Sequence, residues 1–157
     1  MSKTKKIMEV LTYQYYDTDP ETGKPINMGI KPVFETAGAA CADVAVPVTY
    51  TIPPRKGMKL NLRIGFDIPE GYNIIMYPRS SLLIKYGIIS PVSKIDWDFK
   101  LAPVSVPVFN LTDVPVTFEA GTRVAQIELV PMGVEPIDWE RKMVARDLNG
   151  FGGTGDK

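Results

Sequence analysis

An arginine and two serines stand in a row in the segment YPRSSLLIKYG, as Arg79, Ser80 and Ser81, directly before an apolar stretch. An arginine, two hydroxyl groups and the free N–H groups at the start of a helix all favour a bound anion such as phosphate. The same residues would also suit an ordinary helix start, in which a serine caps the N-terminus and the arginine forms a salt bridge. The segment is therefore a candidate phosphate site with a plain structural alternative.

Two carboxylates, Asp96 and Asp98, stand two residues apart in the segment SKIDWDF. If the segment is a strand, both side chains lie on the same face. The residues between and beside them are apolar: Ile95, Trp97 and Phe99. A carboxylate among apolar neighbours is a candidate general base, and the alternative is a polar strand edge with exposed acids.

The sequence contains no histidine. Ser-His-Asp and Cys-His catalysis are therefore excluded, and so is a metal bound by histidine. Proton transfer near neutral pH then falls to a carboxylate, a lysine or a tyrosine. A hard ion such as Mg²⁺, bound through oxygen, remains compatible with the composition.

An aromatic ring, Phe151, lies in the glycine-rich end of the sequence, DLNGFGGTGDK, and Arg146 directly precedes that stretch. A ring and a guanidinium on a flexible segment could fold over a base and a phosphate, although such ends are often simply disordered. Gln126 interrupts an apolar run in GTRVAQIELVP. A buried amide needs partners, so Gln126 belongs either to a core network or to a ligand contact.

Short alternating segments between 14 prolines indicate the elements that must position these residues. Met58, Leu60, Leu62, Ile64, Phe66 and Ile68 share one parity, as they would on one face of a strand. Such runs predict an all-β sandwich or closed barrel of antiparallel strands. One short helix is predicted over residues 80–86, and residues 1–30 are predicted to add an N-terminal hairpin whose strands are IMEVLTYQYY and INMGI.

The totals set the expected surroundings of the protein. A chain of 157 residues fits one domain, and its formal net charge of zero argues against a nucleic-acid partner. Its single cysteine, Cys41, excludes an internal disulfide and fits a reducing compartment. No apolar run is long enough to span a membrane, so we expect a cytoplasmic protein with no membrane partner.

The order of these motifs resembles that of the homotrimeric dUTP pyrophosphatase (dUTPase) family. Its five motifs are matched by AGAACADV, PRSSLLIKYGI, SKIDWDFKL, GTRVAQI and RDLNGFGGTG, which together run from Ala37 to Gly155. The third motif, of the type G-x-I-D-x-D-Y-R-G, departs most from the pattern. Phe99 replaces its tyrosine and Leu101 replaces its last glycine, while the first aspartate, Asp96, is retained.

The resemblance implies that dUTP is hydrolysed to dUMP and pyrophosphate by a water that Asp96 activates for attack at the α-phosphorus. It implies Mg²⁺ held mainly by the triphosphate, with Asp43 reaching the ion through water at most. The implied substrate-binding residues are those of the phosphate contacts, the uracil-reading hairpin, the sugar contact and the closing arm: Arg79, Ser80, Ser81, Gln126, Ser90, Ile95, Phe99, Arg146 and Phe151. Phe99 would leave no room for a 2′-hydroxyl.

The resemblance also implies a distorted jelly-roll-like β-barrel that assembles as a homotrimer with three sites at subunit boundaries. Residues 1–145 would form the barrel domain and residues 146–157 a flexible arm that closes over the site. Two alternatives remain at this point. A dCTP deaminase-like enzyme would use a glutamate after the third motif, where KLAPVSVPVFN has no carboxylate. The other is a non-catalytic or regulatory nucleotide-binding trimer.

Overall fold

The computed structural model describes residues 10–133. Period-two alternation and frequent prolines produce short strands there, as expected, and the predicted helix forms at Ser80–Tyr86 (α1). A 3-10 helix spans Trp97–Phe99. The strands in chain order are β1 (Leu11–Gln14), β2 (Asp17–Thr18), β3 (Pro25–Ile26), β4 (Ala42–Ala45), β5 (Tyr50–Ile52), β6 (Gly57–Asn61), β7 (Ile64–Asp67), β8 (Tyr72–Pro78), β9 (Ile88–Ile89), β10 (Ser93–Asp96), β11 (Ser105–Asn110), β12 (Val116–Phe118) and β13 (Arg123–Pro131).

The largest sheet has four antiparallel strands in the order β10-β8-β13-β4. A three-stranded sheet, β6-β11-β9, and the pairs β1-β7, β12-β5 and β2-β3 complete the pairing within residues 10–133. The all-β prediction with one short helix is therefore confirmed. Hydrogen bonds among these strands do not close into one continuous barrel, because the ladder is broken into separate sheets.

The core lies where the inward faces of these sheets meet. The predicted alternating run from Met58 to Ile68 behaves as expected, since its apolar residues from Leu60 onward are buried and Met58 packs against them. Arg63 interrupts this run with a positive φ of 54°, which bends the chain between β6 and β7. Ile74, Met76 and Ile127 supply the facing side of the core from the four-stranded sheet.

The N-terminal segment differs from the predicted hairpin. Within the described residues its tip forms the short β2-β3 pair around a turn, and one further backbone hydrogen bond, from the Gly29 N–H to the Tyr15 carbonyl, joins the two arms. The strand that precedes it, β1, pairs with β7 of the main body instead of with the INMGI stretch. The reason is that β7 offers a free edge of apolar and small residues, against which β1 extends the packed structure more effectively than an isolated hairpin would.

The C-terminal end of α1 is set by Gly87, whose φ of 66° lies in the left-handed region and whose N–H bonds to the carbonyls of Leu82 and Leu83. This is the usual glycine stop for a helix. The helix has seven residues, and within residues 10–133 no helix is long and apolar enough to cross a membrane.

Candidate functional site

Three polar residues line up across the outward face of the four-stranded sheet. Gln126 on β13 lies opposite Asp43 on β4 and opposite Tyr77 on β8. Because Ala125 and Ile127 beside it are buried, the alternation of the strand turns Gln126 outward. Strand register thus brings together residues of the first and fourth motifs, which are far apart in sequence.

An ion cluster surrounds the Asp43 carboxylate. The guanidinium of Arg79, at the end of β8, lies 3.7 Å from one carboxylate oxygen, and that of Arg123 lies 3.4 Å from the other. Arg79 also approaches the Arg123 carbonyl at 3.5 Å, and Arg123 pairs with Glu35. With a side chain only 13% exposed, Asp43 keeps two arginines side by side. A polyphosphate entering here would compete with two carboxylates for two guanidinium groups.

The serines beside this cluster do not cap the helix. Arg79 occupies the N-cap position in an extended conformation, and no side-chain hydrogen bond caps the start of α1. Ser80 is exposed and Ser81 is half-buried. Ser80 lines a cleft of about 310 Å³ together with Arg79 and Ser90. The serine cap of the structural alternative is therefore wrong, whereas its arginine salt bridge is confirmed by the Arg79–Asp43 pair, and Ser80 lines an open cleft beside that arginine.

A second cleft, of about 150 Å³, lies along β10 and is lined by Met76, Ser93, Lys94, Ile95, Phe99, Val104 and Ser105. Ile95 is buried, whereas the Phe99 ring is 50% exposed. Among the described strands β10 pairs with β8 alone, so its other edge has backbone groups available to a ligand. An edge of this kind suits recognition of a planar base.

Asp96 ends β10 and is exposed. The expectation that Asp98 shares a strand face with it is wrong, because the chain turns into the 3-10 helix at Trp97. Nor is Asp96 enclosed by its apolar neighbours within one chain. Its register partner is Asn73, whose side-chain oxygen is buried without a hydrogen-bond partner among the described residues.

One chain does not bring Asp96 and the phosphate cluster together. Asp96 lies opposite Asn73, near the start of β8, whereas Arg79 follows the last residue of that strand. At about 3.3 Å per residue, the six steps from Asn73 to Arg79 span roughly 20 Å. Arg146 and Phe151 lie outside the described residues.

Sequence reasoning missed Arg123 and the pair formed by Tyr77 and Glu128. The Tyr77 hydroxyl lies 3.1 Å from a Glu128 oxygen, and this hydrogen bond raises the pKa of Tyr77. Arg123 could have been found from its place in GTRVAQI, whereas the tyrosine contact depends on register and left no sequence signal. Burial, followed by the charges of Glu128 and Asp43, raises the pKa of the Cys41 thiol, which makes it a poor nucleophile.

Residues 29–155 match the profile of a protein family described as dUTPase. Two relatives are named deoxyuridine 5'-triphosphate nucleotidohydrolase. Those of Hydrogenobaculum sp. and Desulfotalea psychrophila are 34% and 36% identical to this chain, covering 80% and 79% of it and 90% and 86% of their own length. The crystal structure of the dUTPase from Streptococcus mutans has a TM-score of 0.69 at 25% identity and covers 80% of this chain and 98% of that one. These likenesses confirm the predicted jelly-roll-like fold.

Proposed function

Since this chain belongs to the dUTPase family, we propose that it hydrolyses dUTP to dUMP and pyrophosphate. The observation that carries the proposal is the pair of arginines, the half-buried Arg79 and the exposed Arg123, held by Asp43 beside a serine-lined cleft. Two guanidinium groups with several hydroxyl and amide donors nearby suit the charge of a triphosphate. Such a cluster within the family match supports a hydrolase acting on a nucleoside triphosphate.

The phosphate-binding residues have distinct tasks in this proposal. Arg79 and Ser80 bind the phosphate chain from the start of α1, and Ser81 and Gln126 assist. The arginines exchange their carboxylate partners for phosphate oxygens when substrate enters. This exchange keeps each guanidinium paired but takes both arginines from the largely buried Asp43 carboxylate, which then needs another partner.

Asp96 acts as the general base. Its carboxylate takes a proton from a water, whose oxygen forms a bond to the α-phosphorus while the bond from that phosphorus to the bridging oxygen of pyrophosphate breaks. Pyrophosphate leaves with the bonding electrons, and dUMP keeps the new oxygen. The exposure of Asp96 in a single chain is compatible with this task, since the water must reach it before the site closes.

Mg²⁺ fits this site as part of the substrate. Residues 10–133 contain no cluster of three acidic or cysteine side chains placed to hold an ion. Asp43, which is already paired with Arg79 and Arg123, would face a triphosphate-bound ion through water. Bound Mg²⁺ neutralises charge on the phosphate oxygens.

The cleft along β10 is proposed to hold the nucleoside. Backbone groups between Ser90 and Phe99, including those of Ile95, would read the edge of uracil. The Phe99 ring would lie under the deoxyribose, where its apolar face gives a 2′-hydroxyl no partner. Arg146 would meet the γ-phosphate and Phe151 would stack on the base, as residues 146–157 close over the site.

A homotrimer with shared sites would bring Asp96 of one copy to the phosphate cluster of another, although the two lie apart within one chain. The nucleotide's reacting phosphorus must meet both, yet within one chain they lie roughly 20 Å apart along β8. Asp96 of one copy would therefore serve the Arg79 cluster of another. The cytoplasmic location and the absence of a nucleic-acid partner stay predictions.

The shared site is tested by mixing two inactive variants, Asp96→Asn and Arg79→Ala. If each site takes Asp96 from one copy and Arg79 from another, equal random mixing in refolded trimers restores about a quarter of the wild-type rate. If both residues serve the same chain's site, every mixed trimer stays inactive. Sedimentation of the wild type at micromolar concentration provides the companion measurement, and a monomer would contradict the assembly.

The proposed activity is tested by pyrophosphate release from dUTP, with UTP and dCTP alongside. Release from dUTP but weakly from UTP is the expected result. Binding of dUTP without release would favour the non-catalytic trimer, and release of ammonia from dCTP would favour the deaminase-like alternative. No feature of residues 10–133 favours either of these over the hydrolase.

A further inference from the structure

The turn that follows Phe99 has an unusual backbone. Lys100 and Leu101 have φ values of 40° and 64°, both in the left-handed region. Residues other than glycine rarely adopt it, because the Cβ crowds the backbone. In the motif that this segment resembles, glycine stands at the position of Leu101. This chain therefore needs contacts that hold a leucine where glycine would rest freely.

Two contacts hold Leu101, and both come from the region around β1 and β7. The hydroxyl of Tyr15 donates a hydrogen bond to the Leu101 carbonyl. The same carbonyl packs directly on Gly65 of β7, where any Cβ would overlap it. Gly65 is the register partner of Tyr13 in β1. The turn after Phe99 is thus fastened to the sheet that the N-terminal segment completes.

Tyr15 is itself held on both sides of its backbone. Its N–H bonds to the Arg63 carbonyl at 2.8 Å, and its carbonyl accepts from the Gly29 N–H at 3.0 Å. Gly29 packs so closely on Arg63 that a Cβ there would overlap the Arg63 carbonyl. Arg63 in turn pairs with Asp17 at 2.7 Å, which fixes the β2-β3 tip. Residues 10–28 precede the segment that matches the family profile, so Tyr15 lies outside that segment.

We propose that Tyr15 is a positioning residue for sugar discrimination. By holding the Leu101 carbonyl it fixes the turn that ends the 3-10 helix, and with it the angle at which the Phe99 ring meets the deoxyribose. The role rests on the proposed function, in which Phe99 excludes a 2′-hydroxyl. The N-terminal segment then stabilises the left-handed turn that a glycine at this position of the third motif would adopt without support.

The test compares Tyr15→Phe, which removes only the hydroxyl, with Tyr16→Phe as a matched control. Tyr16 is exposed, and its hydroxyl has no hydrogen bond within residues 10–133. We expect Tyr15→Phe to lower the dUTP/UTP ratio of kcat/KM by about two- to tenfold, the range for one lost hydrogen bond. A merely structural role would reduce the active fraction equally for both substrates and leave this ratio unchanged.

A double-mutant cycle with Leu101→Gly identifies the cause. Glycine relieves the strain of the turn, so Tyr15→Phe should change the ratio less in the Gly background than in the Leu background. An equal change in both backgrounds overturns the proposal, and so does a Tyr15→Phe ratio that matches the wild type.

A readout that does not need turnover separates the two proposals. Trp97 lies in the same 3-10 helix as Phe99. With Trp139→Phe as the background, Trp97 is the remaining indole of the sequence, and Tyr15→Phe should change its acrylamide quenching while Tyr16→Phe does not. A wild type that fails to hydrolyse dUTP overturns the proposed function alone. Unchanged Trp97 quenching in an active enzyme overturns the role of Tyr15 alone.

Discussion

The two ends of β8, where we propose that the phosphates and the nucleoside of dUTP bind, present opposite kinds of surface. At the phosphate end, Asp43 is 13% exposed in its side chain and is held between Arg79, which directly follows β8, and Arg123 of β13, and these two strands are the central ones of the largest sheet. At the nucleoside end, Phe99 is 50% exposed, β10 is an edge strand, and two residues with positive φ follow. The positions of the residues at the first end are set by strand register. Those at the second end are set by a few contacts to one turn.

This difference corresponds to how closely each end keeps its motif. The phosphate end retains the arginine, serine and glutamine pattern, and its geometry follows from pairing of β4, β13 and β8. The nucleoside end has lost a glycine and gained support from Tyr15. The sequence of a site can thus vary where single contacts hold the backbone, since another contact can replace them. It varies less where the position of a residue depends on the register of several paired strands.

The largest effect is expected from Asp96→Asn. Loss of the general base should lower kcat by about 10²–10⁴-fold, while dUTP binding, which depends on the phosphate end, stays nearly unchanged. Single-turnover pyrophosphate release and equilibrium binding of a non-hydrolysable dUTP analogue measure the two quantities. Asp98→Asn is the matched control. Full activity of Asp96→Asn would show that Asp96, at the nucleoside end, takes no part in the reaction.

Phe151→Ala tests whether the nucleoside end receives its second wall from the C-terminal residues. Stacking of a base on an aromatic ring is worth roughly 1–3 kcal/mol, so kcat/KM for dUTP should fall by about ten- to a hundredfold. Leu148→Ala in the same stretch is the control. If removal of residues 148–157 left the full rate, Phe151 would have no part in the site.

Phe99→Ala sharpens the comparison further, because it changes the nucleoside end without touching phosphate contacts. Removing the ring opens space for a 2′-hydroxyl, and the dUTP/UTP ratio of kcat/KM should fall by about tenfold. Phe34→Ala, which removes another exposed ring, should leave the ratio unchanged. A ratio that does not move would make Phe99 an ordinary packing residue.

The smallest effect concerns the N-terminal support of the nucleoside end. The hydrogen bond from Arg63 lowers the pKa of Asp17 below its ordinary value of 3.8. Because the pKa of Asp17 is lower in the folded protein, its negative charge stabilises the fold above the ordinary value of 3.8. This contribution is lost as the pH falls through the folded-state pKa. The Tm of Asp17→Asn should therefore be slightly below that of the wild type at pH 6, and the difference should shrink below about pH 4.

A Tm difference that stayed constant between pH 6 and pH 3 would contradict a role for the Asp17 charge. Asp113→Asn, which removes a partner of the exposed Arg55, is the control for a general surface charge effect. Both side chains of the Arg55–Asp113 pair are exposed to solvent, so this pair should contribute little to the stability of the fold.

The sequence by itself determined the local features of this protein. Period-two alternation fixed which residues of β6 and β7 are buried, since a strand turns successive side chains to opposite faces. Gly87 fixed the end of α1 because it reaches the left-handed region at no steric cost. The motif order predicted the family, and with it the candidate residues at both ends of β8.

Only the tertiary structure decided how those residues relate in space. Register across β4, β13 and β8 placed Asp43 between Arg79 and Arg123, which no local pattern specifies. Pairing of β1 with β7 brought Tyr15 to Leu101, 86 residues away. Local propensity acts over a few residues, whereas such contacts depend on which sheet edges meet during folding, and that is decided by packing of the whole chain.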